Sequence, residues 1–183
     1  MLEGDRINLT PLEHEDLPLI VEWRNQPSVR RWFFDKSLIS RSAQEEWYRR
    51  YLADPRRQMF VARLKESGDP VGVIGFSAID AANRSAEIGS TIVAGAARGH
   101  GYGAEMVRAM LEYGFRDLNL HRIYAYAIGR NAASIRVKQK CGFRIEGVLR
   151  EAHYCDGAYA DVVLLAILRA EWEEALRNPA ERA

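Results

Sequence analysis

Residues Arg98 to Met106 read RGHGYGAEM, with glycines at the alternate positions Gly99, Gly101 and Gly103. The stretch follows a strand-like run that ends in IGSTIVA and opens an amphipathic, helix-like run. A helix N-terminus has unpaired backbone amides and the positive end of the helix dipole. Because glycine leaves those amides accessible and tolerates positive φ, the stretch predicts a phosphate-binding loop. A flexible connection is the simpler alternative.

The loop does not match two common nucleotide-binding motifs. The Walker pattern fails because no Gly-Lys followed by Ser or Thr is present. A dinucleotide fingerprint requires GxGxxG, but Met106 stands where the third glycine would be, and no acidic partner follows on a next strand. Arg98 adds a cation next to the loop that can contact phosphate, although a solvated surface arginine is the alternative.

The overall composition excludes several classes of protein. A chain of 183 residues is expected to form a single domain, 1–183. A formal net charge of +1 argues against a nucleic-acid partner. The two cysteines, Cys141 and Cys155, have no metal-ligand spacing, so we expect no metal. With no signal-peptide pattern and no apolar run near the roughly 18 residues of a membrane helix, we expect a cytoplasmic protein without a membrane partner.

The hydrophobic patterns predict the element order β-α-α-β-β-β-α-β-α-β-β. This order indicates an α/β fold with a mixed, mostly antiparallel central sheet of about seven strands flanked by about four helices. QMFVARL, PVGVIGFSAI and SAEIGSTIVA predict an antiparallel meander, and the strand-helix-strand passage around the glycine loop predicts a parallel pair. In SAQEEWYRRYLAD, Ser42 and Glu45 predict a capping box, and Asn131 and Gly142 are expected to begin and end another helix.

Several of these segments, in this order, resemble the GNAT superfamily of acetyl-CoA-dependent N-acetyltransferases. RGHGYG is similar to its [Q/R]xxGx[G/A] motif, and AEIGSTIV and NAASIRVKQKCGF resemble the strand before the motif and the helix after it. The terminal FRIEGVLREAHYCDGAYADVVLLAILRAEW resembles the Rim-type branch, which includes ribosomal-protein N-terminal acetyltransferases. The resemblance spans nearly the whole chain. It implies the GNAT fold and direct acetyl transfer from acetyl-CoA to a primary amine.

The resemblance also implies where the coenzyme lies. The loop amides hold its diphosphate, and its pantetheine arm runs beside the preceding strand towards the following helix. The implied coenzyme-binding residues are Ile92, Val93, Arg98, Gly99, His100, Gly101, Tyr102, Gly103, Asn131, Ser134 and Lys138. Solvation is the alternative for His100, and a plain helix cap is the alternative for Asn131. A bulge in the preceding strand is implied to offer an amide to the thioester carbonyl.

Acetyl transfer also needs a proton for the departing thiolate. Many GNAT members supply it from a tyrosine in the helix after the motif, but Lys138 stands at that position here. The Rim-type branch implies a serine three residues after the asparagine that opens the helix, which is Ser134. The alternative for Ser134 is a first-turn residue that bonds to the backbone.

Two residues compete for the role of base towards the amine. Glu87 in SAEIG lies on the strand where much of the superfamily has a glutamate. His153 in REAHY stands where Rim-type enzymes carry a glutamate, and an imidazole can accept a proton at neutral pH. The alternatives are a solvated strand glutamate and a half-buried histidine packed against tyrosines.

The resemblance places the acceptor pocket partly in the first two helices. From Arg24 to Arg63 there are ten Lys or Arg and four Asp or Glu. Arginines in the cleft would favour an anionic acceptor and disfavour polyamines, whereas a solvated helix face is the simpler explanation. A protein N-terminus is the acceptor that the Rim-type resemblance implies. An amino-sugar nucleotide stays open because EWRNQPSVRRWFF also resembles flagellar amino-sugar acetyltransferases.

Two further questions stay open at the level of the sequence. One is whether the scaffold is catalytic, because the missing tyrosine would also suit a non-catalytic acyl-CoA-binding sensor. The other is whether the chain is a monomer or a homodimer, because exposed strand edges near its C-terminal end could pair with a second copy.

Overall fold

The computed structural model describes residues 1–178, and its strands form one mixed sheet. The strands are β1 (Leu2–Glu3), β2 (Ile7–Pro11), β3 (Gln58–Leu64), β4 (Pro70–Asp80), β5 (Ser85–Val93), β6 (Arg122–Ile128), β7 (Arg144–Cys155) and β8 (Ala158–Leu168). The α-helices are α1 (Leu17–Asn25), α2 (Pro27–Arg30), α3 (Arg41–Leu52), α4 (Tyr102–Glu112), α5 (Ala132–Lys140) and α6 (Arg169–Arg177).

The strand order is β1-β2-β3-β4-β5-β6-β8-β7. Every neighbouring pair is antiparallel except β5 and β6, which are parallel and connected through α4. The structure thus confirms the α/β class, the meander from β3 to β5 and the parallel pair around the glycine loop. Strand β7 is one edge of the sheet.

Residues 1–178 form eight strands and six α-helices, where the sequence predicts about seven and about four. The two-residue β1 and the single-turn α2 are too short to show a periodic pattern. Helix α6 depends on tertiary packing, because Trp172 lies against Phe115 with the ring centroids 5.3 Å apart.

The predicted N-cap of α3 was also wrong. Ser40 caps this helix instead of Ser42, and its hydroxyl oxygen accepts a hydrogen bond from the Ala43 amide at 3.1 Å. A long-range contact explains the earlier start. The side chain of Asn25 pairs with both backbone groups of Ile39 at 2.8 Å, which holds the chain extended immediately before Ser40.

Each face of the sheet has its own hydrophobic core. Helix α4 covers one core, to which Ala86 and Ile88 of β5 belong, and α1 and α3 cover the other, to which Ile92 belongs. Side chains alternate along a strand, so these three would share a face in a regular strand. A bulge at Ser90, where φ is +51°, inserts one residue opposite β4 and turns Ile92 to the second face.

Candidate active site

The sheet opens between β5 and β6. The aligned pairs run only from Ser85 with Arg122 to Glu87 with Tyr124. Beyond this point β5 continues along β4, whereas β6 continues along β8 as far as Ile128. The two strands therefore diverge and leave β5 without a partner on this side. An extended ligand can occupy such a gap by hydrogen bonding to strand backbone.

Ile92 and Val93 lie on the β5 border of this gap. Their aligned partners on the opposite side are Val73 and Gly72 of β4. The bulge at Ser90 lies between them and Glu87, as the resemblance implies for the strand before the glycine loop. These two residues are thus placed where strand backbone can meet an extended coenzyme arm.

The glycine loop begins α4, as the sequence predicts. Gly101 is the N-cap with φ of +85°, and Gly99 has φ of +84°. Both values lie in the left-handed region, which glycine adopts without steric cost. A Cβ built on Gly99 has no heavy atom within 4 Å, whereas one on Gly103 would lie 3.5 Å from Val93 Cγ2. The loop therefore offers accessible amides at a helix N-terminus, which fits a diphosphate.

Arg98 and His100, both predicted to contact the coenzyme from this loop, differ in their surroundings. Arg98 is exposed, and its Nε donates a hydrogen bond to the Val93 carbonyl at 3.2 Å. The His100 ring lies against the Tyr102 ring, with centroids 6.0 Å apart. Contacts of Arg98, His100 and Tyr102 with the coenzyme stay predictions.

Sequence reasoning missed Arg6, which lies beside the loop. Its guanidinium is about half exposed, pairs with Glu105 of α4 at 3.0 Å and lies 4.7 Å from the centre of the Tyr102 ring. A Cβ on Gly101 would be 3.4 Å from its Nη2. Arg6 thus adds a cation at the N-terminus of α4. No local pattern could have indicated this, because 99 positions separate Arg6 from Glu105.

Glu105 holds Arg6 in place from inside the protein. Its carboxylate is buried and accepts hydrogen bonds from the amides of Arg6 and Ile7. Burial acts to raise the pKa of Glu105, but these hydrogen bonds and the Arg6 guanidinium outweigh it, and the pKa is lowered. Glu105 is therefore an ionised anchor that joins the start of β2 to the start of α4.

Helix α5 brings Asn131, Ser134 and Lys138 together. Asn131 is the N-cap, and its side-chain oxygen accepts from the Ser134 amide at 3.2 Å, which confirms its capping role. Lys138 Nζ donates to Ser134 Oγ at 3.3 Å. Only 4% of Lys138 is exposed, whereas Ser134 is half-buried. The helix ends as predicted at Gly142, where φ is +95°.

Glu87 belongs to the same group of side chains. It alternates with Ala86 and Ile88, so its side chain is on the opposite face from the core under α4. Burial raises the pKa of Glu87, and the positive charges of Arg57 and Lys138 act in the opposite direction. Burial lowers the pKa of Lys138, and Cys141 and Glu87 oppose that shift. Lys138 thus contacts Ser134 directly and interacts electrostatically with Glu87.

His153 belongs to β7, an edge strand of the sheet. It follows a bulge in β7, and its ring meets the Phe34 ring edge-on with centroids 5.2 Å apart. Its Nε2 atom is buried and has no hydrogen-bond partner among the described residues. An unpaired buried nitrogen is costly and suggests a partner supplied by a ligand. His153 therefore stays a candidate base.

Most of the basic side chains between Arg24 and Arg63 are already paired. Arg24 donates to the Asp35 carbonyl, and six others form ion pairs: Arg31 and Lys36 with Asp156, Arg50 with Glu46, Arg56 and Arg57 with Asp54, and Arg63 with Asp16. Much of the local positive charge is thus neutralised by neighbours. Arg57 is the member of this set that also acts on Glu87.

Residues 1–178 contain neither a cluster of metal-ligating side chains nor a membrane-spanning helix. No three His, Cys, Asp or Glu side chains in this range are arranged to hold a metal ion. No helix in the same range is long and apolar enough to cross a bilayer.

Comparison with known proteins identifies the class. The family model for the GNAT acetyltransferase domain matches residues 6–144. The chain belongs to the GNAT acetyltransferases. It is 29% identical over 169 residues to the spermidine N(1)-acetyltransferase of Vibrio cholerae, covering 92% of this chain and 96% of that protein. It is 30% identical over 177 residues to the ribosomal N-acetyltransferase YdaF of Bacillus subtilis, covering 93% and 95%.

A solved structure agrees with this assignment. The spermidine N-acetyltransferase of Vibrio cholerae in complex with CoA and spermine superimposes with a TM-score of 0.87 at 28% identity, covering 92% of this chain and 98% of that one. The protein is therefore an acetyl-CoA-dependent N-acetyltransferase with the GNAT fold. This assignment favours an enzyme over the acyl-CoA-binding sensor.

Proposed function

We propose that this enzyme acetylates the α-amino group at the N-terminus of a peptide or protein. The observation that supports it is the cationic surroundings of Glu87, on whose carboxylate Arg57 and Lys138 act. A polyamine would bring several positive charges towards these cations, which costs free energy in a partly buried site. A peptide brings a single amino group.

The intrinsic pKa of the acceptor points the same way. An α-amino group has a pKa of about 7.7–8.0, whereas an alkylammonium such as lysine has one of about 10.4. A much larger fraction of an α-amine is therefore neutral at pH 7. Glu87 lies near two cations, which act to lower its pKa and make it a weaker base. It therefore takes a proton more readily from an α-ammonium group than from the more basic ammonium groups of a polyamine. The Rim-type resemblance of the C-terminal segment and the likeness to YdaF also support a protein N-terminus.

Bound acetyl-CoA supplies the acetyl group as a thioester. The protein holds the coenzyme in place and transfers the protons. The loop amides at Gly99, Gly101 and Gly103 and the Arg6 guanidinium bind the diphosphate. The backbone of Ile92 and Val93 holds the extended arm, and an amide at the β5 bulge polarises the carbonyl.

The proton transfers take place where the gap between β5 and β6 begins, at the end away from the glycine loop. Glu87 accepts the proton of the attacking amine, and its raised pKa brings it closer to that of the amine. The Ser134 hydroxyl donates a proton to the departing sulfur. His153 is the alternative base, since its unpaired Nε2 can accept a proton from an amine that enters beside Phe34.

A polyamine is the second candidate acceptor. Spermidine N-acetyltransferases are among the similar proteins by sequence and by structure, and one of those structures holds spermine. An amino-sugar nucleotide is the third, on the sequence resemblance alone. We further propose a single domain over 1–183, a cytoplasmic location and a monomer or homodimer.

A competition of acceptors tests the proposal. Release of free CoA is measured at pH 7.5 with a panel of peptides that have free N-termini, the same peptides with blocked N-termini, spermidine and a UDP-amino-sugar. We expect kcat/KM for the best free peptide to exceed that for spermidine by at least about tenfold, with the acetyl group located on the α-nitrogen by mass spectrometry. A higher kcat/KM for spermidine or for the amino sugar overturns the proposal.

A matched pair of variants tests the electrostatic reason for the preference for a peptide over a polyamine. Arg56 and Arg57 both pair with Asp54, but only Arg57 acts on Glu87. We expect Arg57→Gln to reduce the preference for peptide over spermidine several-fold and Arg56→Gln to leave it unchanged. Equal effects of the two substitutions would remove the electrostatic argument.

A further inference from the structure

Lys138 is buried at the position where many GNAT enzymes have a tyrosine acid. Its ammonium donates a hydrogen bond to Ser134 Oγ at 3.3 Å. This bond uses a lone pair of the hydroxyl oxygen and leaves the hydroxyl proton free to point elsewhere. A hydroxyl that accepts a bond from a cation is a stronger donor than an isolated one. The arrangement therefore polarises Ser134 towards donation.

We propose that Lys138 is a positioning residue that returns a proton to Ser134 as Ser134 protonates the departing sulfur of coenzyme A. The proposal rests on acetyl transfer and not on which amine is the acceptor. The carbon–sulfur bond breaks, and its electron pair stays on sulfur. The Ser134 hydroxyl proton passes to that sulfur, a proton from Lys138 Nζ passes to Ser134 Oγ, and Lys138 is left as a neutral amine.

Glu87 completes the proton balance. A carboxylate that has taken the proton of the attacking amine can pass it to the neutral Lys138, which restores both groups. Each acts electrostatically on the other. Burial raises the pKa of Glu87 and lowers that of Lys138, so the two values approach each other and transfer between them becomes less uphill. Over the whole cycle, the proton that the acceptor amine loses replaces the one that the sulfur of coenzyme A gains.

The surroundings of Lys138 suit this role better than a purely structural one. The ionisable and polar groups that act on it are Glu87 from β5, Ser134 from α5 and Cys141, which directly follows α5. A lysine with 4% exposure is costly to keep charged unless its protons have acceptors. An apolar residue would fill the same space without that cost.

Three substitutions test the relay. Lys138→Met removes the ammonium at similar length, Lys138→Arg keeps a charge, and Lys140→Met is the matched control at an exposed position of the same helix. The single-turnover rate of acetyl transfer is measured against pH with the best amine of the acceptor panel. Thermal unfolding and the Kd for CoA are measured on each variant.

We expect Lys138→Met to lower the single-turnover rate roughly 10- to 100-fold, with the Kd for CoA changed less than about twofold. We expect wild-type activity to fall as the pH rises and Lys138 loses its proton. That alkaline decline should disappear in both Lys138→Met and Lys138→Arg, and the rate should stay low in Lys138→Arg, because a guanidinium keeps its charge but does not give up its proton. Adding Ser134→Ala to Lys138→Met should cause little further loss, because the two residues act in series.

Several outcomes would overturn the relay. They are an unchanged rate and pH profile in Lys138→Met, additive losses with Ser134→Ala, or a loss explained entirely by weaker CoA binding. If Lys138→Met is unstable, Lys138→Arg decides, because it keeps the charge without a transferable proton: a wild-type rate and a wild-type alkaline decline in that variant would overturn the relay. If the proposed acceptor class is wrong, only the result of the acceptor panel changes. The relay is still tested, because it is measured with whichever amine the enzyme acetylates.

Discussion

Glu87 and Tyr124 form the last aligned pair of β5 and β6, and the strands diverge beyond them. Burial raises the pKa of Tyr124, and the nearby Glu87 carboxylate raises it further, so the phenol keeps its proton at neutral pH. The fold thus places a titratable carboxylate at the apex of the gap that we assign to the coenzyme arm.

Replacing Glu87 tests its role as base. We expect Glu87→Gln to lower kcat roughly 100-fold or more at neutral pH, while the Kd for CoA is unchanged. Since burial raises the pKa of Glu87 above its ordinary value, wild-type kcat should rise with pH through that pKa, and the variant should lack the rise. Glu112→Gln, at an exposed ion pair on α4, is the control. A retained acidic limb in Glu87→Gln would assign the base elsewhere.

His153 is the competing base. If it accepts the amine proton, His153→Gln should lower turnover and change the pH–rate profile, with coenzyme affinity intact. The buried Nε2 makes this variant informative, because among residues 1–178 this atom has no hydrogen-bond partner that the substitution would remove. An unchanged pH–rate profile removes His153 from the mechanism.

Arg6 should contribute to coenzyme binding. Its half-exposed guanidinium lies beside Gly101 and Tyr102. We expect Arg6→Met to weaken CoA binding about 5- to 20-fold, with the loss smaller at high salt because screening weakens the wild-type contact. Calorimetry at two salt concentrations measures both. Arg116→Met, an exposed arginine paired with Glu112, is the control; equal Kd values for the two variants would contradict the assignment.

Glu105 should matter for stability. Glu105→Ala leaves the buried Ile7 amide and the Arg6 amide without their acceptor, and we expect a loss of about 2–4 kcal/mol in the free energy of unfolding. The folded-state pKa of Glu105 is lowered, so its stabilisation is present above the unfolded-state pKa and is lost as the pH falls through the folded value. Urea unfolding at neutral and acidic pH measures this. A pH dependence identical to wild type would refute it.

The glycine loop gives a backbone prediction. Gly101 has φ of +85°, so Gly101→Ala should destabilise the protein by about 1–2 kcal/mol and weaken CoA binding. Gly147→Ala is the control, because its Cβ would meet open space and its φ is not positive. Thermal unfolding and CoA titration distinguish the two, and equal behaviour would show that the loop does not need its left-handed turn.

Local chemistry made much of the fold predictable. The glycine loop, the Asn131 cap, the Gly142 terminus and the parallel passage around α4 depend on residues close together in the chain, and the structure confirms them. The start of α3 was wrong because Ser40 and Ser42 both suit an N-cap, and the choice depends on the distant contact between Asn25 and Ile39.

By itself, the sequence determined a phosphate-binding loop at a helix N-terminus, since the loop has local backbone requirements that only certain residues meet, and the resemblance of the loop and its flanking segments to the GNAT superfamily implied the class of enzyme. Only the tertiary structure decided which side chains meet. It joined Arg6 to Glu105, bonded Lys138 to Ser134 within the electrostatic influence of Glu87, and turned the ring of His153 against Phe34. The physical reason is that a bulge, a strand divergence and the burial of a charge depend on contacts between distant residues, which no local pattern encodes.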